Sequence, residues 1–131
     1  MATKTKRVEQ GYDGSSVMYS WRDMANGDSG EPIDGAEWGD RAVQVVGNFG
    51  AGGTVVWEGS NDGTNYVTLK DSFNVATSFT AAGIATVIDV PRFCRPRVTA
   101  GDGTTSLSVY ALSRRPEQIR RVVTDSPMTS L

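Results

Sequence analysis

The chain has 131 residues, with 13 Lys and Arg against 15 Asp and Glu, 15 glycines, one cysteine and no histidine. Without histidine there is no Ser–His or Cys–His nucleophilic pair and no His-ligated metal, and the lone Cys94 excludes an intrachain disulfide or a thiolate zinc cluster. The length predicts one domain with a single core, and abundant glycine beside 38% hydrophobic residues predicts many short strands joined by tight turns.

Residues 1–16 read as an N-terminal arm, polar and without periodic apolar positions. Val17, Tyr19 and Trp21 alternate with Met18, Ser20 and Arg22, the period of a half-buried strand. Residues 23–40 form a long acidic loop with Asp23, Asp28, Glu31, Asp34, Glu37 and Asp40, four glycines and Pro32. Arg41 to Asn48 is a strand with Val43 and Val45 on one face. Thr54–Glu58 and Tyr66–Leu69 flank Ser60-Asn61-Asp62-Gly63, a hairpin signal in which Asn, Asp and Gly tolerate left-handed backbone. Val75–Phe79 is a weaker strand. From Ile84 to Val90, Ile84, Thr86, Ile88 and Val90 share one side, and Pro91 ends the run. Phe93–Ala100, with Pro96 marking an edge position or an irregular start, leads through Gly101-Asp102-Gly103-Thr104 into Leu107, Val109 and Ala111 as a second hairpin.

Seven or eight short strands at this spacing predict an all-β fold: a two-sheet antiparallel β-sandwich, jelly-roll-like, over residues 17–115. Residues 116–131 read as a C-terminal arm in which Gln118–Val123 is either extended or a short helix. Fully extended, each arm reaches about 50 Å at roughly 3.3 Å per residue. Ordering such arms costs about 1–2 kcal/mol per residue, so they are sensible if a partner orders them or if they stay disordered. No apolar run approaches the roughly 20 residues of a membrane span, and the charged residues 1–7 have no apolar stretch behind them. A soluble chain without a secretory signal, held in a reducing compartment, is the expectation.

Charge is segregated. Residues 12–91 set eleven acids against Arg22, Arg41 and Lys70, whereas residues 92–121 set seven arginines against Asp102 and Glu117. Such a division suits association with copies of itself or with an acidic neighbour, or it is scatter over a solvated surface. Arg-rich ends favour bidentate carboxylate or phosphate contacts. The sequence pI near 5.0 argues for protein–protein ion pairs over direct nucleic-acid binding. The candidate contact residues are Lys4, Lys6, Arg7, Arg114, Arg115, Arg120 and Arg121.

Three other features carry open alternatives. The acids from Asp28 to Asp40 match no known calcium loop and read as a solvated surface, an ion site or an acidic receptor for a basic arm. Trp57 and Tyr66 beside the hairpin are either a packing pair or a sugar-stacking platform. Cys94 is either a buried small hydrophobe or a thiol activated by Arg92 and Arg95. Nothing in the pattern points to catalysis or a cofactor, so no enzyme activity, cofactor or metal is expected.

Residues 39–50 (Gly-Asp-Arg-Ala-Val-Gln-Val-Val-Gly-Asn-Phe-Gly), 56–69 (Val-Trp-Glu-Gly-Ser-Asn-Asp-Gly-Thr-Asn-Tyr-Val-Thr-Leu) and 95–110 (Arg-Pro-Arg-Val-Thr-Ala-Gly-Asp-Gly-Thr-Thr-Ser-Leu-Ser-Val-Tyr) resemble small structural proteins of tailed bacteriophages. The likeness is to head decoration or cement proteins and covers roughly residues 17–115. It implies a non-enzymatic virion protein on the outer capsid surface, made in the host bacterial cytoplasm. The implied partners are the major capsid protein and copies of itself, as a dimer or trimer, with no membrane and no direct nucleic acid. A glycan- or receptor-binding sandwich of a head fibre or tail is the alternative.

Overall fold

Twelve short strands, and no helix among the described residues, follow from β-branched alternation interrupted by Gly, Asn and Asp turns. The structure is a computed structural model and describes residues 2–11, 14–34 and 39–115. In chain order the strands are β1 (Thr3–Lys4), β2 (Arg7–Gln10), β3 (Ser16–Met24), β4 (Ser29–Gly30), β5 (Ile33–Asp34) and β6 (Asp40–Asn48). There follow β7 (Thr54–Ser60), β8 (Val67–Thr68), β9 (Ser78–Phe79), β10 (Gly83–Val87), β11 (Phe93–Ala100) and β12 (Ser106–Arg114).

They form two sheets packed face to face, a β-sandwich. The five-stranded sheet runs β10-β6-β12-β3-β2. The seven-stranded sheet runs β1-β4-β11-β7-β8, with β5 also on β11 and β9 also on β7. Every pairing is antiparallel except β1 with β4. Period-2 alternation sends Val17, Tyr19, Trp21, Val43, Val45, Leu107, Val109 and Ala111 inward from one sheet. Val55, Trp57, Cys94 and Val98 meet them from the other. At the centre the Trp21 and Trp57 rings meet edge to face, with centroids 5.9 Å apart and planes at 66°. Such a pair adds about 0.5–1.5 kcal/mol beyond area burial.

The hairpin at Ser60–Gly63 is present: β7 pairs with β8 in the register Glu58 to Thr68. The second expected hairpin is not. β11 belongs to the seven-stranded sheet and β12 to the five-stranded one, so the Gly101–Thr104 turn carries the chain across the sandwich. The turn chemistry is the same for a hairpin and a crossover. The difference lies in distant partners: β11 takes β7, and β12 takes β6 and β3.

Pro96 lies inside β11 rather than at its start. There it stands opposite Trp57, whose N–H and C=O bond Thr77 and Leu69 on the far side of β7. On its other flank β11 meets β5 at Phe93 and Cys94 and β4 only at Arg97, so Pro96 falls in a gap between two short partners and no ladder bond is lost. Ile84 and Ile88 face solvent at 66% and 54% exposure, and Val87 takes the core position. Residues 23–40 include the two short strands β4 and β5.

Residues 3–10, expected as part of an arm, lie along the sandwich instead. β1 joins the seven-stranded sheet and β2 the five-stranded sheet. The side chains of β2 are all exposed, so it is held by its backbone, and the polar sequence gave no periodicity to betray it. The expected C-terminal arm, residues 116–131, lies outside the described residues.

Candidate functional site

The outer face of the seven-stranded sheet holds a closely knit polar group. Glu58 lies on β7 between Trp57 and Gly59, with its side chain on the face away from the core, yet it is only 2% exposed. Arg95 stands directly opposite it on β11 and Arg97 two residues further, on the same face. Arg95 Nε donates to Glu58 Oε1 at 2.8 Å, and Arg97 Nε donates to Oε2 at 3.1 Å. Both carboxylate oxygens are thus taken by the inner nitrogens of two guanidinium groups.

Tyr66 completes the group. The Arg95 guanidinium carbon sits 3.8 Å from its ring centroid, a cation–π contact that also covers the ring. Burial raises the hydroxyl of Tyr66 above its ordinary pKa. Arg95 and Arg97 keep 24% and 42% of their side-chain exposure, so both guanidinium groups remain partly open to solvent. Two arginines over one glutamate leave a single net positive charge on a rigid sheet. That arrangement can take a carboxylate from another protein without first ordering a side chain.

The loop between β7 and β8 borders this face and is held by Asp62. Its Oδ1 accepts the Ser60 hydroxyl at 2.7 Å and the backbone N–H groups of Thr64 and Asn65 at 2.8 Å each. Its Oδ2 accepts Asn65 Nδ2 at 2.8 Å. The backbone bonds from Asn65 and Thr64 hold the Asp62 carboxyl well below the usual carboxylate range. Gly63 supplies the left-handed residue, with φ of 78°. A cleft of about 450 Å³ lies beside this loop, lined by Ser60, Asn61, Asn65, Leu69, Asp89 and Pro91 among others.

The expected contact residues are dispersed. Lys4 is in β1, and Arg7 is exposed on β2 opposite Ser20. Lys6 is bound within the chain: its N–H donates to Glu31 Oε1 at 3.0 Å and its Nζ lies 3.3 Å from Oε2. Arg114 is exposed at the end of β12 opposite Ser16, four strand positions from the row of Arg7. Arg115 is exposed and donates its N–H to the Ser15 carbonyl at 3.1 Å. Arg120 and Arg121 lie outside the described residues. The structure therefore does not gather the described members of this set into one site.

The acidic loop receives the basic N-terminal segment. Asp28 is buried and accepts the N–H of Ala2 and of Ala25, each at 2.9 Å, and Glu31 takes Lys6. Asp34 pairs with Arg92 at 3.6 Å. Among the described residues no three metal-ligating side chains come together.

Trp57 is 1% exposed and Tyr66 lies under Arg95, so the pair is packing and not an open stacking platform. Cys94 is buried in the core, and its neighbour is Arg41 rather than Arg92 or Arg95. Arg41 Nη1 points at the sulfur from 3.4 Å and Arg41 Nε donates to Ser113 Oγ at 2.8 Å. Burial pushes the thiol up and pulls the guanidinium down from their ordinary values.

Glu58 was not among the expected residues. The available signal was a lone acid inside the apolar run Val55-Val56-Trp57, set against Arg-Pro-Arg at 95–97 with the same period of two. No protein-family profile, no curated protein sequence and no solved structure matches this chain.

Proposed function

We propose that the chain is a structural protein of a tailed-bacteriophage virion that binds the outer capsid surface and stabilises contacts between neighbouring major capsid proteins. The observation that carries this reading is the outer face of the seven-stranded sheet, where buried Glu58 and the ring of Tyr66 hold two guanidinium groups in place. A clamp across a capsomer boundary benefits from a stiff surface that binds with little ordering cost. The segments that carry the resemblance, 39–50, 56–69 and 95–110, supply most of β6, β7 and β11 together with β8 and the start of β12. One net positive charge suits a protein carboxylate better than a polyphosphate backbone.

The alternative is a glycan- or receptor-binding module of a head fibre or tail. It no longer has the Trp57–Tyr66 platform and rests on the cleft beside the Asp62 loop, where Asn, Ser and Asp side chains adjoin Leu69 and Pro91.

Quantitative mass spectrometry of purified particles, with electron microscopy of labelled chain, separates the two. A copy number comparable with that of the major capsid protein and label over the outer shell are expected. One or a few copies, or label confined to the tail or fibres, would overturn the capsid reading and favour the alternative.

A further inference from the structure

The stretch from Ser72 to Ile88 contains no charged residue, although Lys70, Asp71 and Asp89 bracket it. It builds the loop through β9 and then β10. β10 is hydrogen-bonded to β6 on one side and is an edge of the five-stranded sheet on the other. An edge offers a row of unpaired N–H and C=O groups, which proteins normally blunt with Lys, Pro or a bulge. Gly83-Ile-Ala-Thr-Val87 has none of these and pairs with β6 over all five residues without a register shift. The other edges differ: β2 carries Arg7 and Glu9, while β1, β5, β8 and β9 are two residues long.

The surface around this edge is apolar. Phe73, Val75, Ile84 and Ile88 are 84%, 58%, 66% and 54% exposed. A groove of about 440 Å³ runs between β10 and the loop before it, with Phe73, Val75, Phe79 and Ala85 in its walls.

We propose that β10 is a dimerisation edge, paired antiparallel across a twofold axis with β10 of a second copy of this chain. Two identical strands related by a twofold are antiparallel, and an axis perpendicular to the sheet keeps each inner face inward. The two five-stranded sheets then become one continuous ten-stranded sheet. The loops at 72–79 of the two copies lie side by side and cover Phe73 and Val75 on the groove side, while Ile84 meets the partner strand on the outer face of the sheet. Within Ser72–Ile88 no charge meets its own copy, and a copy matches this uncharged surface by construction. Four large apolar side chains per copy and two strand backbones place the contact near the low end of the roughly 1,200–2,000 Å² typical of specific interfaces. The dimer is therefore reversible and concentration-dependent. This inference rests on the self-association expected of the virion protein and not on its capsid location, so the two fail separately.

The test is sedimentation equilibrium of the purified full chain with hydrogen exchange across a concentration series. The expected mass rises from 14.0 kDa towards twice that value, and the β10 amides gain protection in step. Ile84→Lys and Phe73→Ser, both at exposed positions whose folding is checked by thermal unfolding, are each expected to weaken association about tenfold or more. Val67→Lys, an exposed position at 65% in the other sheet, is expected to leave it unchanged. A monomer throughout, a trimer, association indifferent to both Ile84→Lys and Phe73→Ser, or association lost only in Val67→Lys overturns the proposal. So does concentration-independent protection of the β10 amides, which would mean that the edge is covered within one chain.

Discussion

Glu58 is a buried charge, and a buried charge is costly unless it is fully paired. Arg95 and Arg97 share the task, each through its Nε. Removing one arginine leaves the carboxylate half-satisfied; removing both leaves it bare in a site where water has little access. Arg95→Ala and Arg97→Ala are each expected to cost about 1 kcal/mol, while the double substitution reaches about 3–5 kcal/mol and exceeds the sum of the singles. Urea unfolding of the four proteins checks this. A small, additive loss would show that water replaces the arginines and that Glu58 is not the anchor of this face. The single residue therefore links stability to the surface proposed for binding: the charge that costs folding energy also sets where the guanidinium forks point.

Two turns depend on single carboxylates. Asp62 gathers the β7–β8 loop, and Asp102 gathers the crossover between β11 and β12. Asp102 Oδ1 accepts the Thr104 hydroxyl at 2.7 Å and its N–H at 2.8 Å, and Oδ2 accepts the Ala51 N–H at 3.0 Å. The bond from the Thr104 hydroxyl is the largest cause of a pKa lowered to about 2. Both groups are depressed in the folded chain relative to the roughly 3.9 of an unfolded aspartate. In acid the unfolded state then binds more protons than the folded one, so these turns stabilise above about pH 4 and lose that contribution as pH falls towards 2. Urea midpoints are expected to be level from about pH 7 to 5 and to fall below about 4. Asp62→Asn and Asp102→Asn together are expected to flatten the acid limb; an acid limb unchanged in that pair would place its origin in other carboxylates.

Over the whole molecule, the N-terminal segment ties the two sheets together. β1 pairs in one sheet, β2 pairs in the other, and Lys6 between them is fixed by Glu31. Four bonds join residues 2–6 to the acidic loop: Ala2 N–H to Asp28, Ser29 N–H to the Ala2 carbonyl, Glu31 N–H to the Lys4 carbonyl and Lys6 N–H to Glu31. At about 0.5–1.5 kcal/mol each, deletion of residues 2–10 is expected to destabilise the fold by about 2–6 kcal/mol, read by calorimetry. An unchanged melting temperature would mean that the segment adds nothing to the fold and is free to act as an arm. The segregated charge seen along the sequence is in part satisfied here, within one chain.

The sequence by itself determined the all-β class, the inward faces of β3, β6 and β12, and the Ser60–Gly63 hairpin. Each depends on side-chain period or turn chemistry, which act over a few residues. Only the tertiary structure decided that the Gly101–Thr104 turn crosses between sheets, that β2 exists, that Ile84 faces solvent, and that Glu58 meets Arg95 and Arg97. Strand pairing is a long-range choice made through backbone groups common to almost every residue. An exposed edge strand such as β2 therefore leaves no mark in its side chains. In the same way, a run alternating on both faces, such as Ile84 to Val90, does not say which face the opposite sheet will cover.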